Sequence, residues 1–132
     1  MVKMQVDLTD VHVLVVDDDA DTLEVFRLAL QLCGATVVTA GTARDALAML
    51  KTVRLDAVVS DLQMPGEDGL WLANQLRTFA SERGFAIPAL AVTAYWDRYS
   101  SERAKAAGFE AFAGKPIDPL DLSRCVASLV GR

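Results

Sequence analysis

The feature that most constrains this chain is an alternation of two kinds of segment: short, Val-rich apolar runs, and longer stretches whose apolar residues recur at helical spacing. The runs fall at Val11 to Val16, Ala35 to Ala40, Ala57 to Ser60, Ala89 to Val92 and Phe109 to Ala113. Such runs read as strands covered on both faces. Between them, Leu23, Phe26, Leu30 and Cys33 form one stripe that stops at Gly34. Ala43, Ala46, Leu47 and Leu50 form a second after the N-cap candidate Thr42, and Leu72, Leu76 and Phe79 a third after Asp68-Gly69. A weakly apolar helix is expected from about Trp96 to Ala107, and a last one from Asp118-Pro119, with Leu122, Cys125, Val126 and Leu129 on one face. Strands alternating with helices imply right-handed crossovers, so the expected fold is α/β, a parallel sheet between two helix layers.

With 132 residues and 52% hydrophobic content, the chain can bury one core without metal or disulfide staples, and disorder is excluded as its main state. No linker or repeat divides it, so one domain is expected over residues 11–130 behind a short N-terminal extension, 1–10. Thirteen Lys and Arg stand against 18 Asp and Glu, a net charge of -5, which argues against direct nucleic-acid binding. Cys33 and Cys125 lack any metal or redox spacing and read as reduced, buried small hydrophobes. The start, MVKMQVDLTD, carries acids and no apolar run of the signal-peptide kind, and no stretch approaches a membrane span. No membrane association and a cytoplasmic location are therefore expected.

In a sheet of this kind ligands collect outside the carboxyl ends of the strands. The first strand runs into Asp17, Asp18 and Asp19, the third ends at Asp61, the fourth at Thr93 and the fifth just before Lys115-Pro116. Crowded carboxylates repel one another unless a cation sits among them, and hard oxygen donors without a His/Cys cluster suit Mg²⁺. His12, the single histidine, reads as structural. A carboxylate beside a divalent ion, a hydroxyl and an ammonium is also what acyl phosphate formation needs. Asp61 would attack phosphorus, Lys115 would neutralise phosphoryl oxygens and Thr93 would donate to one of them. Each group alone has an ordinary explanation, such as acids in the first turn of a helix or a surface Lys-Pro pair. Their recurrence at four strand ends favours a phosphate and metal site.

As a set, these residues resemble the receiver domain of bacterial two-component response regulators, over nearly the whole chain from about Val11 to Val130. The resemblance implies a flavodoxin-like (βα)5 three-layer sandwich with parallel strand order 2-1-3-4-5. It implies that Asp61, in VVSDLQMPGEDG, is the phosphoacceptor and that Asp17 and Asp18 are the acidic pair holding Mg²⁺, Asp18 directly and Asp17 mostly through water. Asp61 itself and the backbone carbonyl of Gln63 would complete the coordination. Thr93 matches the switch hydroxyl, Lys115 the phosphate-pairing lysine, and the Lys115-Pro116 bond is expected to be cis. Phe112 stands where the family places its aromatic switch, without the hydroxyl of the frequent Tyr. Gln63 and Tyr95 stand at the two positions that influence access of water to the acyl phosphate.

The resemblance further implies transfer from a histidine kinase or a histidine phosphotransfer protein to Asp61. A change in the surface of helix four, strand five and helix five then reaches a downstream protein, with Trp96 and Tyr99 as candidate contacts and a phosphorylation-dependent dimer compatible with the scheme. No enzymatic turnover of an external substrate is expected beyond Mg²⁺-dependent self-phosphotransfer and autodephosphorylation. The chain is expected to be either a stand-alone receiver or the C-terminal receiver of a hybrid sensor kinase. An aspartate-dependent phosphatase would place a second Asp where Gln63 stands, and a flavin carrier would place a phosphate loop where three aspartates stand. A degenerate receiver serving only as a docking module is the remaining alternative.

Overall fold

A strand that is apolar on both faces can be buried only between two layers, and the runs at His12–Val16, Ala57–Ser60 and Ala89–Thr93 are used in this way, while those at Thr36–Ala40 and Ala111–Gly114 form half-buried edges. In the computed structural model, which describes residues 6–132, β1 (His12–Val16), β2 (Thr36–Ala40), β3 (Ala57–Ser60), β4 (Ala89–Thr93) and β5 (Ala111–Gly114) form one sheet of order β2-β1-β3-β4-β5. Every pairing is parallel. The intervening helices are α1 (Ala20–Leu32), α2 (Ala43–Thr52), α3 (Gly69–Arg83), α4 (Ser101–Ala107) and α5 (Pro119–Leu129). This is the flavodoxin-like sandwich that the resemblance implied.

The two-residue period of the strands sorts the core into two halves. Leu14, Val16, Val58 and Ala91 face α2, α3 and α4, where Ala46, Leu50, Leu72, Leu76 and Ala104 close over them. Val13, Val15, Val59 and Leu90 face α1 and α5, meeting Phe26, Leu30, Leu122 and Val126. Each fully buried Leu or Val contributes about 1.5–3 kcal/mol relative to exposure, so this double core carries the fold.

The helices start where short polar side chains can satisfy free N–H groups. Asp19, Thr42, Asp68, Ser100 and Asp118 accept from Thr22, Asp45, Trp71, Arg103 and Leu120 respectively. The fourth helix departs from expectation. It begins at Ser101 rather than near Trp96, because the Ser100 hydroxyl takes the Arg103 N–H, while the Arg98 and Tyr99 N–H groups both close a turn onto the Tyr95 carbonyl. The cysteines are half-buried rather than buried, and both are free thiols.

Of the expected N-terminal extension, residues 1–5 lie outside the described residues. Leu8 is fully buried against Val11 and Leu30, and its N–H donates to the Cys33 carbonyl at 2.7 Å. Among the described residues no helix is long and apolar enough to cross a membrane.

Candidate functional site

Parallel pairing delivers the strand ends to one edge of the sheet. Val16 is in register with Ser60, Ser60 with Ala91, and Thr93 with Gly114, so the next residues, Asp17, Asp61 and Lys115, emerge side by side. Backbone bonds hold them there: Asp61 N–H donates to the Val16 carbonyl at 2.9 Å and Lys115 N–H to the Thr93 carbonyl at 2.9 Å. Asp17 and Asp61 are buried, Asp18 is exposed, and each offers a carboxylate oxygen within 4.8 Å of the others.

Lys115 Nζ donates to Asp17 Oδ2 at 2.6 Å and to Asp61 Oδ2 at 3.0 Å. The second oxygens face backbone N–H groups: Asp17 Oδ1 accepts from Asp19 at 2.9 Å, and Asp61 Oδ1 from Leu62 at 2.6 Å and Gln63 at 3.3 Å. The Lys115-Pro116 bond is cis, as the resemblance implied.

The site is short of positive charge. Burial, helped by the neighbouring Asp61, pushes the Asp17 carboxyl above the usual carboxylate range, although Lys115 and the Asp19 N–H oppose it. Burial works against the Lys115 ammonium, but the hydrogen bonds it donates to Asp17 and Asp61 outweigh it and hold the group above an ordinary lysine. Two carboxylates, Asp17 and Asp61, share one ammonium while a third, Asp18, lies beside them, an arrangement that fits a divalent cation with hard oxygen ligands.

The cavity above these groups is lined by Asp17, Asp18, Asp61, Gln63, Tyr95 and Lys115, bringing six of the expected site residues together. Thr93 does not line it. Its side chain is wholly buried, and Oγ1 accepts from the Tyr95 N–H at 3.1 Å. Phe112 is half-buried against the core half that faces α4. Trp96 is 63% exposed and lies along the Gly114 backbone, whereas Tyr99 is half-buried, with Arg103 over its ring and its hydroxyl 3.5 Å from Asp68 Oδ2. The two aromatics proposed for one surface thus differ in exposure. His12 is half-buried at the opposite end of β1, where its backbone exchanges bonds with Asp56.

Sequence reasoning missed Gly69, which it read only as part of a turn. A Cβ at Gly69 would stand 2.4 Å from the Asp61 carbonyl oxygen and 2.9 Å from Leu62 Cα, and the Gly69 N–H donates to the Leu62 carbonyl at 2.9 Å. The first residue of α3 therefore packs directly onto the backbone that carries Asp61. The Asp-Gly pair was the only sequence signal. Asp19, one of the acids that end the first strand, also lines the cavity, as do Met64, Pro65 and Ala94, which had been given no role in the site.

Comparison with known proteins bears on the family and the fold. The family model described as response regulator receiver domain matches residues 13–127. The chain is 39% identical over 119 residues to an uncharacterised 14.6 kDa protein of Leptolyngbya boryana, covering 90% of this chain and 89% of that one. It is 32% identical over 121 residues to the sensor histidine kinase GacS of Pseudomonas protegens, covering 91% of this chain but 13% of the kinase. Among solved structures, the chemotaxis response regulator CheY4 of Vibrio cholerae superposes with a TM-score of 0.81 at 30% identity, covering 92% of this chain and 99% of that one.

Proposed function

This chain belongs to the response regulator receiver family of two-component signalling, and on that premise we propose that Asp61 is its phosphoacceptor, serving a phosphorelay. The observation that carries the reading is the buried Asp61 carboxylate bonded to Lys115 beside the Asp17 and Asp18 acids. In the transfer, Asp61 Oδ forms a bond to phosphorus as the phosphohistidine P–N bond of the donor breaks. Lys115 Nζ, already within reach of Asp61 Oδ2, follows the developing charge onto a phosphoryl oxygen. Asp17, Asp18, Asp61 and the Gln63 backbone carbonyl would hold Mg²⁺. When bound, the ion supplies charge neutralisation to the phosphoryl oxygens. Nothing turns over beyond this self-transfer and the later hydrolysis.

The readout begins at Thr93. Its hydroxyl now accepts from Tyr95 N–H, and turning toward a phosphoryl oxygen breaks that bond and frees the start of the β4–α4 loop. Phe112, half-buried on the neighbouring strand, takes up the vacated space, and the α4–β5–α5 face shifts its population toward an output state, with Trp96 at its edge. A phosphorylation-dependent dimer is one use of that face.

A histidine kinase or phosphotransfer protein must bring an imidazole to the mouth of the pocket. Beside it, α1 exposes Val25, Leu28 and Leu32 in one apolar row, the last 87% exposed, next to a groove lined by Lys115, Pro116 and Ile117. A helical phosphodonor fits that row. A module that only docked would have no use for two buried carboxylates, whose desolvation opposes folding. Incubation with radiolabelled acetyl phosphate tests the reading: native protein takes up label only with Mg²⁺, and Asp61→Asn takes up none. Equal labelling of both proteins would sink it.

A further inference from the structure

We propose that Arg98 is a positioning residue that prolongs the life of the phosphoryl group by tying Gln63 to Tyr95 across the mouth of the pocket. The inference rests on Asp61 as phosphoacceptor and adds a regulator of the same site. Gln63 belongs to the β3–α3 loop and Tyr95 to the β4–α4 loop, and both line the cavity from facing sides. Arg98 reaches both. Its Nη1 donates to Gln63 Oε1 at 3.2 Å, and its guanidinium carbon lies 5.6 Å from the centroid of the Tyr95 ring.

Its backbone is fixed as well. The Arg98 N–H donates to the Tyr95 carbonyl at 2.9 Å, and its own carbonyl accepts from Arg103 Nη1 of α4 at 2.8 Å. Among the described residues Arg98 makes no ion pair with a carboxylate. Its charge is therefore available to the mouth of an acidic pocket. A phosphoryl group on Asp61 adds negative charge beneath the tie and draws the guanidinium inward.

Hydrolysis requires a water oxygen to bond to phosphorus as the P–O bond to Asp61 breaks. It returns the carboxylate and releases inorganic phosphate, which keeps both protons of the water. The attacking water must come in opposite the Asp61 oxygen, through the mouth that Gln63 and Tyr95 border. Held together by Arg98, the two side chains narrow that approach. Released, each is free to swing outward. Because Arg98 hangs from α4 through Arg103, a shift of α4 that pulls Arg103 away also loosens the tie. Output-face state and phosphoryl lifetime are thereby linked.

Native protein, Arg98→Ala, Arg98→Lys, Gln63→Ala and the Arg98→Ala/Gln63→Ala double variant are labelled from radioactive acetyl phosphate with Mg²⁺ and stripped of donor. Decay of the label and the melting temperature are then followed. The label on Arg98→Ala decays about fivefold faster, the size of one exposed cation–π contact, at an unchanged melting temperature. Arg98→Lys restores part of the lifetime, and Gln63→Ala adds nothing once Arg98 is gone. Decay at the native rate in Arg98→Ala overturns the proposal while leaving Asp61 in its role. Failure of native protein to take up label overturns both.

Discussion

Two segments leave the same edge of the sheet one strand apart, and they are held in opposite ways. After β3, Asp61 is fixed by backbone: its N–H bonds to Val16, its carboxylate accepts from Leu62 and Gln63, and Gly69 presses on its carbonyl. After β4, the backbone bonds of the loop, from Arg98 and Tyr99 N–H to the Tyr95 carbonyl, stay within the loop, and side chains tie it to what surrounds it. The Thr93 hydroxyl takes the Tyr95 N–H, Arg103 takes the Arg98 carbonyl, and Trp96 stands 63% exposed. On the proposed function, the contrast separates chemistry from readout. A phosphoacceptor must not move relative to its lysine and acids, whereas a reporting loop must change partners at small cost.

The largest effect is expected where the fixed side loses its counter-charge. Lys115→Met keeps the aliphatic stem but leaves Asp17 and Asp61 buried without their ammonium, costing about 3 kcal/mol in urea unfolding without divalent metal. Mg²⁺ returns part of the loss by occupying the same acids. The pH dependence has a definite sign. The Asp17 pKa is raised by burial, so the native state binds more protons than the unfolded chain and gains stability as pH falls through the native value toward the ordinary one. Removing Lys115 raises that pKa further, so the variant's deficit shrinks on going from about pH 7 to about pH 4. Lys115 itself is held above its ordinary value and contributes fully at neutral pH. A loss that is small and flat with pH breaks the comparison, because the pocket would then not depend on its ion pairs.

Gly69→Ala attacks the same side through sterics. The added methyl meets the Asp61 carbonyl oxygen at 2.4 Å, so backbone must shift, at a cost of about 2 kcal/mol in spite of alanine's better helix propensity. Labelling by acetyl phosphate falls as well, because the displaced backbone carries Asp61, the proposed phosphoacceptor. Gly41→Ala is the control, since nothing lies within 4 Å of its added Cβ. Equal stability of the two variants would remove Gly69 from the machinery of the site.

What was legible in the chain follows the same division. Strands apolar on both faces, and acids placed just beyond them, are local signals, and they located β1, β3 and the Asp17, Asp18 and Asp61 cluster. The order of the strands came from the family resemblance, since no periodicity encodes which strand lies beside which. Gly69 was not legible, because its constraint comes from a carbonyl brought close only by the β3–α3 loop. The start of α4 was misplaced, because Trp96 and Tyr99 imitate a helical stripe while the Ser100 cap competes successfully with it. Arg98 gave no signal at all. A long charged side chain in a loop reads as solvated, and its two partners lie in facing loops.

The smallest effect on stability, and the sharpest probe of the contrast, belongs to Thr93→Ala. The hydroxyl is buried and makes one bond to the loop, so its removal costs about 1 kcal/mol and leaves the Asp61, Lys115 and Asp17 bonds in place. Acetyl phosphate still labels Asp61. What is lost is transmission. In a Trp71→Phe background, where Trp96 is the remaining tryptophan, labelling of the parent changes the emission of Trp96, because freeing the Tyr95 N–H lets the loop slide along the Gly114 backbone. In Thr93→Ala that N–H is already free, so the spectrum before labelling resembles that of the labelled parent and changes little afterwards. An emission change of parental size in Thr93→Ala would mean that the loop moves without the hydroxyl. The link between the fixed and the movable side would then have to run through Lys115, whose N–H is bonded to the Thr93 carbonyl and whose ammonium is bonded to Asp61.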